Sequence, residues 1–357
     1  MADLLVYGSY GYTGNLVAEE ALDRGLDVVL AGRDRTEVED QSGRLRCEYR
    51  VASLDEPKDL EYAVDEVPVV VHCAGPFART ADPMVEACLR AGTHYLDITG
   101  EIEVFEALAR TDERAREADT MVLPGVGFDV VPTDCLAAHL ADRLEDPTSL
   151  ALGFDAPSGL SPGTAKTVVE NLGEGGAVRR NGRIESIPMA SETRTIDFGE
   201  GERDAMAIPW GDVSTAYHTT GIGDVTVYQA THPRTITLLK AARYLSPVLG
   251  AGPVKSLLKS LVERRVEGPD AGERAGARTH VWGEVENAAG DRAVSRLETP
   301  HPYELTARTA VEVAERVASG VAKPGFQTPA GAYGADLILD VEGVERSDDP
   351  VEEADAD

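Results

Sequence analysis

The chain has 357 residues, 42 % of them hydrophobic, enough to bury a large core and too many for a disordered polymer. Asp and Glu number 63 against 34 Lys and Arg, a net charge of −29, so nearly every face would repel a phosphate backbone and nucleic acid is excluded as a partner. Only six of the basic residues are lysines, and an acid-rich, lysine-poor balance suits the cytoplasm of a halophile, where molar salt screens charges within about 3 Å.

Met1-Ala2-Asp3 leads into an apolar strand, Leu4 to Tyr7, with no signal-peptide pattern, and no apolar run reaches the roughly 18 residues of a membrane span, so a cytoplasmic location is expected. The strand enters Gly8-Ser9-Tyr10-Gly11-Tyr12-Thr13-Gly14, and an alanine-rich helix follows from about Asn15 to Arg24. Strand, glycine turn and helix in that order form a dinucleotide-binding βαβ start. Glycines open backbone angles closed to other residues and let a pyrophosphate approach, while the helix N–H groups face its charge. A tight turn without a ligand has the same pattern.

Gly25 stops the helix, and Asp27 to Ala31 is the second strand. The end of that strand selects the cofactor. An acidic residue there accepts the ribose hydroxyls of NAD, whereas Gly32-Arg33 offers a guanidinium to the 2′-phosphate of NADP, so NADP is expected over NAD. Asp34 keeps the acidic alternative open, and Arg33 as a solvated turn residue is another. Arg46 to Val51 is the third strand, with Ser53 and its neighbours where an adenine edge would lie, and Pro57 opens a helix to about Val64. Val67 to His72 is a buried β-branched strand. It ends in Cys73-Ala74-Gly75-Pro76-Phe77, small enough for the backbone to approach a ribose or a nicotinamide, although packing alone would also explain it.

After a helix from Pro83 to Ala91, the segment Thr93 to Glu101 places Tyr95, Asp97, Thr99 and Glu101 toward the carboxyl edge of the sheet, where open α/β sheets bind ligands. A helix over 104–118 and a strand over 121–124 complete a six-stranded, doubly wound Rossmann-type parallel sheet across residues 1–125. Gly127-Phe128-Asp129 then leads to a helix that begins at Pro132 or Thr133.

From Ala151 the rhythm changes. Strand-like segments at 193–198, 224–230, 279–285 and 293–297 imply a second, α+β domain on a mostly antiparallel sheet, spanning 126–302 and serving substrate binding or dimerisation. Ser158 to Ala165 reads as a loop, either a lid or a plain connector, into a helix at 166–172. Residues 236–266 mix leucines with lysines and arginines, which predicts a packed helical hairpin or dimer interface, with contact to a membrane surface or an acyl chain less favoured. A long amphipathic helix from Tyr303, with the chain to 342, is expected to pack back on the first domain. Residues 346–357 read as a disordered acidic tail. Four cysteines without a CxxC pair and seven histidines without HExxH predict no metal.

Five ordered motifs converge: Gly-Ser-Tyr-Gly-Tyr-Thr-Gly at 8–14, Ala-Gly-Arg at 31–33, Cys-Ala-Gly-Pro-Phe at 73–77, Tyr-Leu-Asp-Ile-Thr-Gly-Glu at 95–101 and Gly-Phe-Asp-Val-Val-Pro-Thr-Asp at 127–134. With Thr-Pro-Ala-Gly-Ala-Tyr-Gly at 328–334 they resemble the saccharopine dehydrogenase-like oxidoreductases, a group that includes the trans-acting enoyl reductases. The resemblance implies NADP contacts at Gly8, Ser9, Gly11, Tyr12, Thr13, Gly14 and Arg33, and around Ala74, Gly75 and Pro76. Tyr10, Gly32, Ser53 and Thr99 stand beside these positions and are expected to line the same cofactor.

No tyrosine has a lysine four residues on, which removes the Tyr-x-x-x-Lys chemistry of short-chain dehydrogenases, and no GxSxG elbow is present. Tyr95, Asp97, Glu101 and Asp129 are therefore the acid–base candidates for hydride transfer to or from a small molecule held between the domains. Asp97 and Glu101 have a structural alternative, capping a helix and tying a loop, and Asp134 has one as a first-turn carboxylate. A non-catalytic NADP-binding sensor or scaffold is the alternative function, and a membrane-associated enoyl (lipid) reductase a third. A homodimer is expected on frequency alone.

Overall fold

Runs of valine and leucine too short for helices, separated by helical stretches, dictate parallel strands joined by crossovers. The computed structural model describes residues 2–156, 175–242 and 268–354, and the chain divides into two units, Met1–Val131 with Tyr303–Tyr333, and Pro132–Pro302 with Gly334–Asp357. In the first unit β1 (Leu4–Tyr7), β2 (Val28–Gly32), β3 (Glu48–Val51), β4 (Val69–His72), β5 (His94–Asp97) and β6 (Met121–Leu123) alternate with α1 (Tyr12–Asp23), α2 (Arg35–Leu45), α3 (Pro57–Val64), α4 (Phe77–Ala91), α5 (Ile102–Ala109) and α6 (Asp112–Glu117). The sheet runs from strand Gly325–Phe326 through β6, β5, β4, β1 and β2 to β3, all pairs parallel. Strand order reverses between β1 and β4, so the crevice beyond their carboxyl ends is the place where such a sheet takes a ligand.

Every residue of β1 and β4 is buried, as strands covered on both faces require. Leu5, Val29, Val70 and Val122 pack with Leu60, Met84 and Val85 in one core, each side chain contributing about 2 kcal/mol. The Pro302–Ala318 helix joins this unit through Arg24 at the end of α1, whose guanidinium reaches Glu312 at 2.9 Å and Glu315 at 2.8 Å.

Four local features differ from the expectations. Residues 35–45 form α2, a polar helix whose weak amphipathic pattern hides it; Asp34 starts it by accepting the N–H groups of Thr36 and Glu37. The helix over 104–118 is two helices, interrupted at Arg110 and Thr111. α4 begins at Phe77 and carries Pro83 inside it. The sheet has a seventh strand because Gly325–Phe326 pairs with β6, two residues being too few to show a period.

The second unit carries a nine-stranded sheet. Its centre is Pro147–Asp155, flanked by Asp224–Ala230 in parallel and by Arg278–Asn287 antiparallel, and its other pairings are antiparallel. Helix α7 (Val131–Arg143) lays Leu136 and Leu140 onto the bare α-carbon of Gly283, where a Cβ would stand 2.6 Å from Leu140 Cδ1.

The C-terminal segment is ordered through Ala354, against the expectation of a disordered tail. Glu345–Asp348 is a strand paired with Arg292–Pro300, Arg296 holds Asp349 at 2.8 Å, and His139 meets Asp348 at 2.9 Å. Its acidic residues find partners on the neighbouring strand and on α7, so composition alone misreads it. Gly334–Asp357 also lies with the second unit, so only the stretch to Tyr333 packs back on the first. The segment 158–172 lies outside the described residues, and so does 236–266 beyond the helix Pro233–Ala242, on which Leu238 is exposed. Among the described residues no helix is long and apolar enough to cross a membrane.

Candidate functional site

β1 ends at Tyr7, and the chain turns on Gly8, whose φ of +77° favours glycine. The N–H groups of Gly8 and Ser9 donate to Ala31 O at 2.8 and 3.2 Å, which fastens the turn to the end of β2. A Cβ on Gly8 would come 2.8 Å from that of Ala74, and a Cβ on Gly14 would run into the carbonyl oxygen of Gly8. The glycines thus permit the close packing of turn, helix and β4 end. Helix α1 has Gly11 at its N-cap and no side-chain cap. Its first-turn N–H groups, those of Thr13 and Gly14 among them, are oriented for an anion. A cradle that a Cβ would fill, at the uncapped end of a helix beside a topological switch point, fits the pyrophosphate of a dinucleotide.

At the end of β2 the ring of Tyr10 covers Gly32 so closely that a Cβ there has no room, and its hydroxyl accepts the Asp34 N–H at 3.4 Å. Asp34 itself is committed to capping α2. One oxygen of the acidic alternative, Oδ1, is thereby engaged, while Arg33 is exposed and makes no ion pair among the described residues. Gln41, which the sequence reading passed over, braces the turn from α2 by donating to Ser9 O at 2.8 Å and to Asn15 Oδ1 at 3.1 Å. The Ser9 hydroxyl is buried and has no hydrogen-bond partner among the described residues. Ser53 closes a turn after β3, its hydroxyl accepting the Asp55 N–H at 3.3 Å.

The end of β4 follows the same logic. Cys73 N–H donates to Tyr7 O at 2.8 Å, bringing Ala74, Gly75 and Pro76 beside the glycine turn. Pro76 at the N-cap of α4 has no side chain to cap it, and Glu101 does so from 24 residues away. Its two carboxylate oxygens accept the N–H groups of Phe77 and Ala78, each at 2.9 Å. Replacing Glu101 with Gln leaves only one good acceptor there, and stability to urea should fall by about 1 kcal/mol; an unchanged midpoint would deny the cap its weight.

At the end of β5, Tyr95 and Asp97 are fully buried. The Tyr95 hydroxyl donates to Asp97 Oδ2 at 2.7 Å, and Asp97 Oδ1 accepts the N–H groups of Thr99 and Gly125, both at 2.9 Å. Burial pushes the Asp97 carboxyl up to about 6, opposed by those three hydrogen bonds and reinforced by Glu101. Thr99 Oγ1 in turn accepts the Glu101 N–H at 3.1 Å. Asp97 thus brackets the end of β5 to the loop after β6.

Asp129 is different. It is half-buried, its side chain lies across Gly100, where a Cβ would approach Oδ2 to 2.6 Å, and its carboxyl has no hydrogen bond among the described residues. Burial first, and then the negative charge of Glu101, raise it to about 7. Of the four acid–base candidates, Tyr95 and Asp97 are paired in the interior, Glu101 holds a helix end, and Asp129 is left to titrate near neutrality. The sequence reading missed what holds the Asp129 loop: Thr306 and Thr309 of the Pro302–Ala318 helix, whose signal was two polar residues three apart on an otherwise buried helix face.

Turn, strand ends and switch-point crevice together define a dinucleotide-binding Rossmann domain. Residues 4–123 match the family model described as "Saccharopine dehydrogenase NADP binding domain", so the resemblance carried by the glycine turn and its companion motifs is borne out and NADP is the cofactor class of this domain. The chain is 27 % identical over 203 residues to the saccharopine dehydrogenase-like oxidoreductase of Mus musculus, covering 50 % of this chain and 47 % of that protein. It is 30 % identical over 149 residues to the trans-acting enoyl reductase of Mycobacterium ulcerans (strain Agy99), covering 40 % of this chain and 36 % of the relative. These matches span about half or less of the relatives' own length. The apo histidine-tagged saccharopine dehydrogenase (L-Glu forming) of Saccharomyces cerevisiae shares the fold, with a TM-score of 0.67 over 98 % of this chain and 100 % of that one at 13 % identity.

Proposed function

We propose that the protein is an NADP-dependent oxidoreductase that exchanges a hydride with a small molecule, with Asp129 giving or taking the accompanying proton. Bound nicotinamide supplies the hydride chemistry; the chain supplies placement and proton. The glycine turn and α1 would hold the pyrophosphate, and Arg33 the 2′-phosphate. A carboxyl raised to about 7 exists in both protonation states near neutral pH, which is what proton exchange in either direction requires. Burial keeps it there, with the charge of Glu101 adding to it, and Tyr95 with Asp97 fixes the strand ends.

The observation that carries this reading is the division of roles at the end of β2, where Asp34 caps α2 and Arg33 stays exposed. Arg33→Ala should raise the Kd for NADPH about 10–100-fold, the loss of one charge-assisted pair, and leave that for NADH unchanged. Fluorescence titration of both nucleotides reads the result directly; equal weakening of both would refute the assignment.

A further inference from the structure

The Gly125–Asp129 loop carries the carboxyl to which the proposed function gives the proton. Two glycines, Gly125 with a φ of +76° and Gly127, would leave such a loop loose on its own. Two sets of bonds fix it. From β5, Asp97 accepts the Gly125 N–H with its carboxylate at 2.9 Å and the Val126 N–H with its backbone carbonyl at 2.7 Å. From the Pro302–Ala318 helix, 178 residues further along the chain, Thr306 Oγ1 accepts the Phe128 N–H at 3.0 Å. Thr309 Oγ1 shares its proton between Val126 O at 2.8 Å and Leu305 O of its own helix at 2.9 Å. The bare α-carbon of Gly127 rests on the Thr306 side chain, and a Cβ there would approach Thr306 Cγ2 to 2.9 Å.

We infer that Thr306 is a positioning residue for Asp129, aiming its carboxyl across Gly100 by fixing the Gly127–Phe128 peptide one residue before it. Both neighbours of Asp129 are then pinned, since the N–H groups of Val130 and Val131 donate to Gly127 O at 3.2 and 2.9 Å as α7 begins. Thr306 spends its hydroxyl on the loop, a use that places a helix from the far end of the chain behind the candidate proton donor. Displacement of a reacting group by about 1 Å is enough to impair a step 100-fold, so the bond bears on chemistry as well as stability. The inference rests on Asp129 being the proton-exchanging group.

The test needs no identified substrate. The Asp129 carboxyl is followed by carbon-13 NMR against pH in the wild type, Thr306→Val, Thr306→Ser and Thr309→Val, with NADPH binding measured alongside. Among the described residues the charged group whose field reaches it is the Glu101 carboxylate. Thr306→Val should bring the Asp129 midpoint down by about one pH unit as the loop relaxes toward water, Thr306→Ser should restore it, and NADPH affinity should stay within about twofold in all. Thr309→Val, which keeps the Phe128 bond, should move it less and serves if the first variant does not fold. An Asp129 midpoint that is the same in Thr306→Val as in the wild type, whatever its melting temperature, overturns the inference alone. A wild-type Asp129 that titrates like an ordinary carboxylate overturns both this and its assigned proton role, and a wild type that does not bind NADPH overturns the proposed function.

Discussion

Gly14→Ala should weaken NADPH binding at least about 100-fold and lower the melting temperature by about 10 °C. The added Cβ has nowhere to go: it would meet the Gly8 carbonyl oxygen and, at 3.0 Å, the Ser9 α-carbon, all backbone and unable to swing aside. Helix α1 must move away from the turn, and overpacking of that kind costs about 3 kcal/mol, which sets the thermal shift for a unit of this size. The same movement carries the first-turn N–H groups off the pyrophosphate position, so affinity should fall at least about 100-fold, beyond what one lost bond explains. Gly25, at the other end of the same helix, is the control. Its φ is +83°, but a Cβ there meets nothing within 4 Å. Gly25→Ala should cost about 1 kcal/mol of backbone strain and leave NADPH binding alone. If the two variants bind NADPH equally, the turn does not hold the cofactor.

The contrast shows why this part of the chain was readable in advance. Glycine spacing and the buried strands report backbone geometry, which is local in sequence. The partnerships that were not readable act over distance. That Glu101 caps a helix stood as an alternative, but not that the helix is the one starting 24 residues earlier, and Thr306 bonds to Phe128 across 178 residues. Asp34 kept the acidic alternative open because the polar helix it caps has too little apolar periodicity to announce itself. The acidic C terminus read as disordered because its strand is held by Arg296 on the neighbouring strand and by His139 on α7, partners that composition does not reveal. Where function depends on one segment the pattern suffices; where it depends on which segments meet, the fold must be seen.

His72 carries the second large effect. Its ring closes β4 among Tyr7, Phe77 and Tyr95, with centroids 5.5, 5.4 and 6.2 Å away, and it is fully buried with neither nitrogen hydrogen-bonded among the described residues. Burial holds it neutral, with its pKa lowered to about 3 from an ordinary 6.5. The unfolded chain takes up a proton as pH falls through 6.5 and the native state refuses it until about 3. Stability from this group is therefore complete above 6.5 and drains away below it, by on the order of 5 kcal/mol at the acid end. Asp97 and Asp129 act in the opposite sense, because carboxyls raised to about 6 and 7 contribute stability at low pH and lose it as pH rises through those values. The net acid curve is thus a sum of opposed terms, and the variant isolates one. His72→Leu, close in volume and without orphaned nitrogens, should be about 1 kcal/mol more stable than the wild type at pH 7, and the difference should widen by about 3 kcal/mol at pH 4. Urea unfolding of both proteins at pH 7, 5.5 and 4 in constant molar KCl measures it, since the two aspartates are common to both and cancel. Parallel curves would mean that His72 takes up its proton in the native state, and so that the aromatic cage is open enough to hydrate a cation at the edge of the cofactor crevice.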